Sequence, residues 1–358
     1  MPSALFQPLT LRSLTVPNRI VVSPMCQYSA VDGVMNDWHL AHLGQLSMSG
    51  AGLLFFEMTD VEAIGRITHG CSGLWNDAQE AALKRTVAFC REHGQAKLAL
   101  QIAHAGRKAS CVPPWQGGSA LKPEQGAWEP VAPSAIATDD KAPVPRELTK
   151  DEVRGLVRKF VDATERAARA GFDAVELHGA HGYLVHAFLS PVSNQRKDEY
   201  GGSLENRMRF CLQVFAAMRK AWPADKPLGI RLSCTDWVEG GWTPEDTVVL
   251  VKKLQALGCD WIDCSSGGAS KAQKISLAPG YQVPFAEKVK RETGAPTMAV
   301  GLITDPKHAE DIVASGKADM VALARGLIWD ARWGWHAARA LGTETPVPRQ
   351  YLRCQPAR

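Results

Sequence analysis

The chain has 358 residues, 45% hydrophobic and 22% charged, which supplies apolar mass for a large core and excludes a disordered or collagen-like chain. Its net charge of +4 comes from Lys and Arg scattered among acids, which argues against a nucleic-acid surface. Nine cysteines, an odd number without a CxxC pair, argue against a disulfide framework or a four-thiolate metal site.

The first residues, Met1-Pro2-Ser3-Ala4-Leu5-Phe6, lack the charged-then-apolar layout of a secretory signal, and no stretch approaches the roughly 18 apolar residues of a membrane span. The expected compartment is a reducing cytoplasm. From residue 19 onward, β-rich runs alternate with long amphipathic segments. Strands are expected over residues 19–24, 53–59, 98–103, 174–178, 228–233, 261–265, 297–300 and 320–324. Helices are expected over residues 37–48, 77–92, 150–170, 204–221, 244–257, 283–292, 306–314 and 331–341. Thr149 with Glu152 forms a capping box, and Thr243 precedes a proline at the first helical position. Gly171, Gly258, Gly294 and Gly316 stand where a left-handed residue ends a helix.

Strands such as Leu53-Leu54-Phe55-Phe56 are nearly continuous apolar runs, the pattern of a parallel sheet covered on both faces. Eight β-α repeats without a compositional break predict one domain over residues 1–358, a (β/α)8 TIM barrel. A doubly wound sheet is the alternative, but the first strand is not followed by GxGxxG. Residues 110–148, rich in Pro, Gly and Trp, are too long for a plain connection and are expected to insert a loop or hairpin that shapes a pocket.

In such a barrel the chemistry belongs at the carboxyl ends of the strands. The first strand runs into Ser23-Pro24-Met25-Cys26-Gln27-Tyr28, the third carries Gln101 and ends at His104, and the fourth ends in His178-Gly179-Ala180-His181-Gly182-Tyr183. Arg231 interrupts the fifth, and the eighth ends in Arg325-Gly326. Each has an ordinary reading: His178 and His181 as metal ligands or as a structural pair, Cys26 as a small buried hydrophobe, Tyr183 as core. No HExxH-type acid stands beside the histidines, and two neutral imidazoles donating to one substrate oxygen is the favoured reading. A guanidinium inside a strand requires a partner. A bound anion, an electron-rich cofactor carbonyl or a structural ion pair would each supply one. Val300-Gly301-Leu302 and Ala324-Arg325-Gly326 offer backbone amides and a cation where barrels hold phosphate.

These residues, with Asn18-Arg19-Ile20, Gln101-Ile102-Ala103-His104-Ala105-Gly106-Arg107-Lys108, Asp198-Glu199-Tyr200-Gly201-Gly202 and Pro279-Gly280-Tyr281-Gln282, resemble the old yellow enzymes, FMN-dependent ene-reductases. The likeness is to the thermophilic-like branch with xenobiotic reductases and NADPH dehydrogenases, and it runs from about Leu5 to Gln355. It implies non-covalent FMN, reduced by NADPH or NADH. Ser23, Pro24, Met25 and Cys26 would line the ring, Cys26 tuning its potential. Gln101 would bond the pyrimidine end, Arg231 the N1–C2 region, and Gly301, Ala324 and Arg325 the phosphate. An enone, maleimide or nitro compound would then lie over the ring between Tyr28, His178 and His181. Hydride would come from flavin N5 and a proton from Tyr183. The tail, about residues 343–358, would bring Arg353 into a neighbouring subunit's site, implying a homodimer or a dimer-based tetramer. No metal, nucleic acid or membrane is implied. Met58 and Ala324 depart from the family pattern, which has a small residue beside the flavin and commonly a glycine at the phosphate. A competing class, a flavin-free phosphate-binding barrel lyase or isomerase, would need a carboxylate or Lys on the rim; Glu57 and Asp263 are its candidates. A non-catalytic flavin-binding protein would need neither Tyr183 nor Cys26.

Overall fold

The computed structural model describes residues 3–354. Eight parallel strands close into a barrel: β1 (Ile20–Val22), β2 (Leu53–Asp60), β3 (Lys97–Ala103), β4 (Ala174–Gly179), β5 (Leu228–Ser233), β6 (Ile262–Ser265), β7 (Thr297–Val300) and β8 (Met320–Leu323). Consecutive strands are neighbours, and the pairing of Val321 with Ile20 closes the ring. Around it lie α1 (Asp37–Ser47), α2 (Asp77–His93), α3 (Lys150–Ala170), α4 (Leu204–Ala221), α5 (Pro244–Ala256), α6 (Val283–Thr293), α7 (Pro306–Ala314) and α8 (Trp333–Ala340). All sixteen expected elements form. Their ends obey the expected local chemistry: the Thr149 side chain accepts the Glu152 amide at the start of α3, and Gly171 ends that helix at φ +93°.

Alternation along each strand sorts the side chains into two layers. On β3, Leu98, Leu100 and Ile102 pack outward with Phe160 and Phe172 beneath the helices, whereas Ala99 faces inward with Val21, Phe55, Trp261, Met298 and Met320. This inner plug fills the lower half of the barrel, where each fully buried aromatic contributes about 1.5–3 kcal/mol. A short antiparallel hairpin, Leu9–Leu11 with Leu14–Val16, seals its base. The hairpin was not expected from the sequence because three-residue strands carry too little alternation to register.

Two other departures matter for the site. Short helices follow β4 (Leu184–Leu189) and β8 (Arg325–Trp329), both too brief to show helical periodicity. Residues 110–148 do form an inserted loop, with turns at Pro114–Gln116 and Pro123–Gln125. The insert begins with a hairpin-like antiparallel closure, Cys111 bridging Ala120 with the Val112 amide donating to the Ser119 carbonyl and the Leu121 amide to the Ser110 carbonyl, each at 2.8 Å, whereas Val131–Ala132 and Arg146–Glu147 pair in parallel. Among the described residues no helix is long and apolar enough to cross a membrane.

Candidate active site

The β4 exit builds the centre of the site. His181 sits at φ +59° and Gly182 at φ +75°, and a Cβ on Gly182 would stand 2.1 Å from the Gly268 carbonyl oxygen. Only glycine permits that approach. The Gly182 amide donates to His186 Nδ1 at 2.8 Å, and His186 Nε2 lies 3.0 Å from the buried Asp236 carboxylate. The resulting tight turn brings three rings together: His178 lies 5.1 Å from His181 and 4.9 Å from Tyr183, centroid to centroid, all edge-on.

Each histidine has one anchored nitrogen and one free. His178 Nδ1 accepts the Ala180 amide at 3.2 Å, so the neutral ring carries its proton on Nε2. His181 Nε2 shares a 2.7 Å bond with Ser265 Oγ, and Ser265 in turn lies 3.4 Å from Gln282 Oε1. Burial, with Arg231 next, holds both imidazoles well below 6.5. Both are neutral at pH 7: His178 has its donor free at Nε2, and His181 has one at Nδ1 when Ser265 gives its hydroxyl proton to Nε2. Burial also pushes the Tyr183 phenol well above 10, so it keeps its proton.

The β1 exit forms the opposite wall. Ser23 is buried with its hydroxyl unpartnered, Pro24 and Met25 are half-buried, and Cys26 joins Met58, Ala103, Ala105 and Tyr183 in one apolar cluster. Burial drives the Cys26 thiol well above 9.0, with Cys71 and Glu57 adding to it. Tyr28 follows at φ +49°, its ring edge-on to Trp115 at 5.9 Å. Met58 comes into the cluster because β2 slips register between Phe56 and Met58, and Glu57, at the slip, accepts the Gln27 amide at 3.0 Å and Ser72 Oγ at 2.8 Å.

Two cavities open on this rim. One, of about 370 Å³, is lined by His181, Arg231, Ser265, Tyr281, Gln282, Gly301, Ala324 and Arg325. The other, of about 480 Å³, is walled by Tyr28, Lys108, the inserted loop and Lys271. Gly301 lies at φ +131°, where a Cβ would press on Tyr281 at 3.1 Å. Ala324 is at φ −109°, so its departure from glycine meets no left-handed conformation. Arg353 is exposed on the turn Arg349–Cys354 and lines neither cavity; residues 355–358 lie outside the described residues.

The interior beneath the rim supplies one of the three kinds of partner open to Arg231. Arg231 has an internal partner: its Nε lies 3.1 Å from Asp263 Oδ2. A bound anion is therefore not required to hold this charge in the strand. The guanidinium nevertheless lines the first cavity; its Nε meets Asp263 as an ion pair without hydrogen-bond geometry, and none of the described hydrogen bonds uses its Nη groups. Gln101 likewise has an internal bond, Nε2 donating to Glu176 Oε1 at 2.9 Å. His104 is satisfied by Glu62 at 3.1 Å and by the Gly106 amide. Sequence reasoning missed Glu176, although it shares a strand face with His178 two residues on. It also missed the roles of Ser265 and Lys108, whose Nζ donates to the His181 carbonyl at 2.9 Å.

The residues fit FMN. The Gln101 oxygen offers an acceptor and the Arg231 Nη groups offer donors, complementary to a ring N–H flanked by carbonyls. The orphaned Ser23 hydroxyl supplies a further polar contact, and the Gly301 and Ala324–Arg325 backbone with the Arg325 cation suits a phosphate. Among the described residues no group of three or more His, Cys, Asp or Glu could hold a metal.

Comparison with known proteins agrees with this chemistry. Residues 4–344 match the NADH:flavin oxidoreductase / NADH oxidase family. An NADPH dehydrogenase of Geobacillus thermodenitrificans (strain NG80-2) is 44% identical over 355 residues, 99% of each chain. An NADH:flavin oxidoreductase of Gibberella zeae is 43% identical over 96% of this chain and 87% of its own. Morphinone reductase superposes with a TM-score of 0.79 at 29% identity, covering 96% of this chain and 91% of that one. Its complex with tetrahydroNAD superposes with a TM-score of 0.79 at 28% identity, covering 98% and 94%. The chain thus belongs to the NADH:flavin oxidoreductase / NADH oxidase family, as an FMN-dependent oxidoreductase of old yellow enzyme type with a reduced nicotinamide as its reductant.

Proposed function

We propose that this enzyme reduces the activated C=C bond of α,β-unsaturated carbonyl compounds, with Tyr183 as the proton donor. The observation that carries the reading is the triad of rings: two neutral imidazoles, each with one free nitrogen, edge-on to a phenol that keeps its proton. When bound, FMN supplies the hydride that reaches the β-carbon after reduction by NADPH or NADH. Ser23, Pro24, Met25, Cys26, Met58, Gln101, Arg231, Gly301, Ala324 and Arg325 hold it.

His178 donates to the substrate carbonyl oxygen from Nε2, and His181 from Nδ1 with Ser265 turning its hydroxyl proton onto His181 Nε2. Their bonds strengthen as that oxygen gains enolate charge, so they favour the transition state over the bound substrate. Tyr183 gives its proton to the α-carbon and regains one from solvent. Tyr28 closes the substrate face, with Arg353 of a neighbouring copy completing it in a homodimer or dimer-based tetramer. Enones, maleimides and nitro compounds are the substrate classes, and the cytoplasm is the compartment. The flavin-free lyase or isomerase reading finds no support: Glu57 is held by Gln27 and Ser72, Asp263 by Arg231, and neither lines either of the two rim cavities.

The test is anaerobic stopped-flow mixing of the NADPH-reduced protein with cyclohexenone. Reoxidation with stoichiometric cyclohexanone is expected. Reduced protein that responds to oxygen but to no enone, maleimide or nitro compound would sink the reading.

A further inference from the structure

Strand alternation puts Gln101, Glu176, Arg231 and Asp263 inside the barrel on four neighbouring strands, just beneath the rim. Glu176 is fully buried, and nitrogen donors take both of its oxygens: Gln101 Nε2 at 2.9 Å and Trp261 Nε1 at 3.0 Å. Room for that indole exists because residue 229 is glycine, where a Cβ would stand 2.0 Å from the Trp261 ring. With its nitrogen drawn down to Glu176, the Gln101 amide turns its oxygen the other way. That Oε1 takes no hydrogen bond from a described residue and is not among the sealed, unpaired polar atoms.

We propose that Glu176 is a positioning residue: as a carboxylate it decides which end of the Gln101 amide meets the cofactor, so that an acceptor faces the ring N–H. The proposal rests on Gln101 lying against the pyrimidine edge of FMN. An indole N–H can only donate. Glu176 therefore serves Trp261 and Gln101 together only while both oxygens accept. A protonated Glu176, or a glutamine in its place, must keep an oxygen for Trp261 and turn its own donor toward Gln101. The Gln101 amide then rotates and sets its NH2 against the ring N–H, two donors face to face.

The groups facing Glu176 are Gln101 on β3, Arg231 on β5, and Asp263, Trp261 and the Cys259 thiol on and before β6. Burial, reinforced by Asp263 and opposed by Trp261 and Arg231, brings the carboxyl up to about 8. Cofactor binding then releases a proton from Glu176 and tightens as pH rises.

The experiment is titration of FMN into the deflavinated full chain from pH 6 to 9, followed by flavin fluorescence. Wild type is compared with Glu176→Gln, Gln101→Leu and the double variant Glu176→Gln/Trp261→Phe. Wild-type affinity should rise with pH, and Glu176→Gln should bind about tenfold more weakly at pH 9, following only the titration of the FMN phosphate. Removing the indole frees the new amide to turn its oxygen to Gln101, so the double variant should recover most of the loss. Unchanged affinity in Gln101→Leu would refute the placement of Gln101. Weak binding there with Glu176→Gln within twofold of wild type, or a loss the double variant does not restore, overturns the positioning role. If Glu176→Gln does not fold, wild type with riboflavin, which lacks the phosphate, still decides: affinity flat from pH 6 to 9 refutes the proposal.

Discussion

The Lys108 ammonium stands 5.1 Å from the centre of the Tyr183 ring while donating to the His181 carbonyl oxygen at 2.9 Å. A phenol that gives up its proton leaves a phenolate, which a cation at this distance stabilises. Burial, aided by Arg107, lowers Lys108 to about 8, so the cation is present below that pH and lost above it. The alkene-reduction step should therefore slow as pH rises through about 8. Lys108→Met should abolish that limb and lower the plateau about tenfold. His178 and His181, neutral throughout, should add no limb near 6.5. A wild-type rate that stays level across this range removes Lys108 from the chemistry.

Tyr183→Phe keeps the ring that packs against His178 and removes only the proton. Stopped-flow measurement should find alkene reduction slowed by about 10²–10⁴, the usual worth of a general acid, with reduction of the flavin by NADPH nearly intact. Equal losses in both half-reactions would mean the ring, and not its hydroxyl, is what matters.

Cys26 is half-buried against Met58, Ala103 and Tyr183, and the desolvation there holds it as a thiol. Iodoacetamide at pH 8 should alkylate the exposed Cys354 well before it. Cys26→Ser should move the flavin midpoint potential, since a polarizable sulfur gives way to a hydroxyl. An unmoved potential leaves Cys26 as packing.

Gly182→Ala places a methyl 2.1 Å from the Gly268 carbonyl at a φ of +75°. The left-handed conformation alone costs about 1 kcal/mol or more for a side-chain-bearing residue, and the clash forces the turn apart. Binding of phenolic carbonyl analogues should fall at least tenfold, read by flavin difference spectra. Wild-type binding in a folded variant would mean that the turn does not set the histidine geometry.

Glu80 on α2 ties down α3 through Arg166 and Arg169, each at 2.9 Å. Hydrogen bonding from Arg169, aided by Lys84, holds it down at about 2 against an ordinary 4.5. A depressed carboxylate contributes stability above its unfolded value and loses it as pH falls toward its folded one. Glu80→Gln should therefore cost about 1–2 kcal/mol at pH 7, by urea denaturation, with the two proteins converging between about pH 4.5 and 2.

Much of this molecule was legible in one dimension because its signals are local. Continuous apolar runs, glycines after helices and capping pairs such as Thr149 with Glu152 depend on neighbours a few residues away, and they set eight strands and eight helices in order. The rim residues were legible too, since polar groups such as Gln101 and Arg231 interrupt strands that are otherwise apolar. What lay beyond reach was partnership across strands. Asp263 meets Arg231 from 32 positions away in the chain, and Glu176 meets Gln101 from 75, distances over which sequence carries no geometry. The sequence by itself determined the barrel and the chemical inventory of its mouth. Only closure of the sheet decided which carboxyl lies under which donor, because that depends on strand register, a property of the closed ring and not of any one strand.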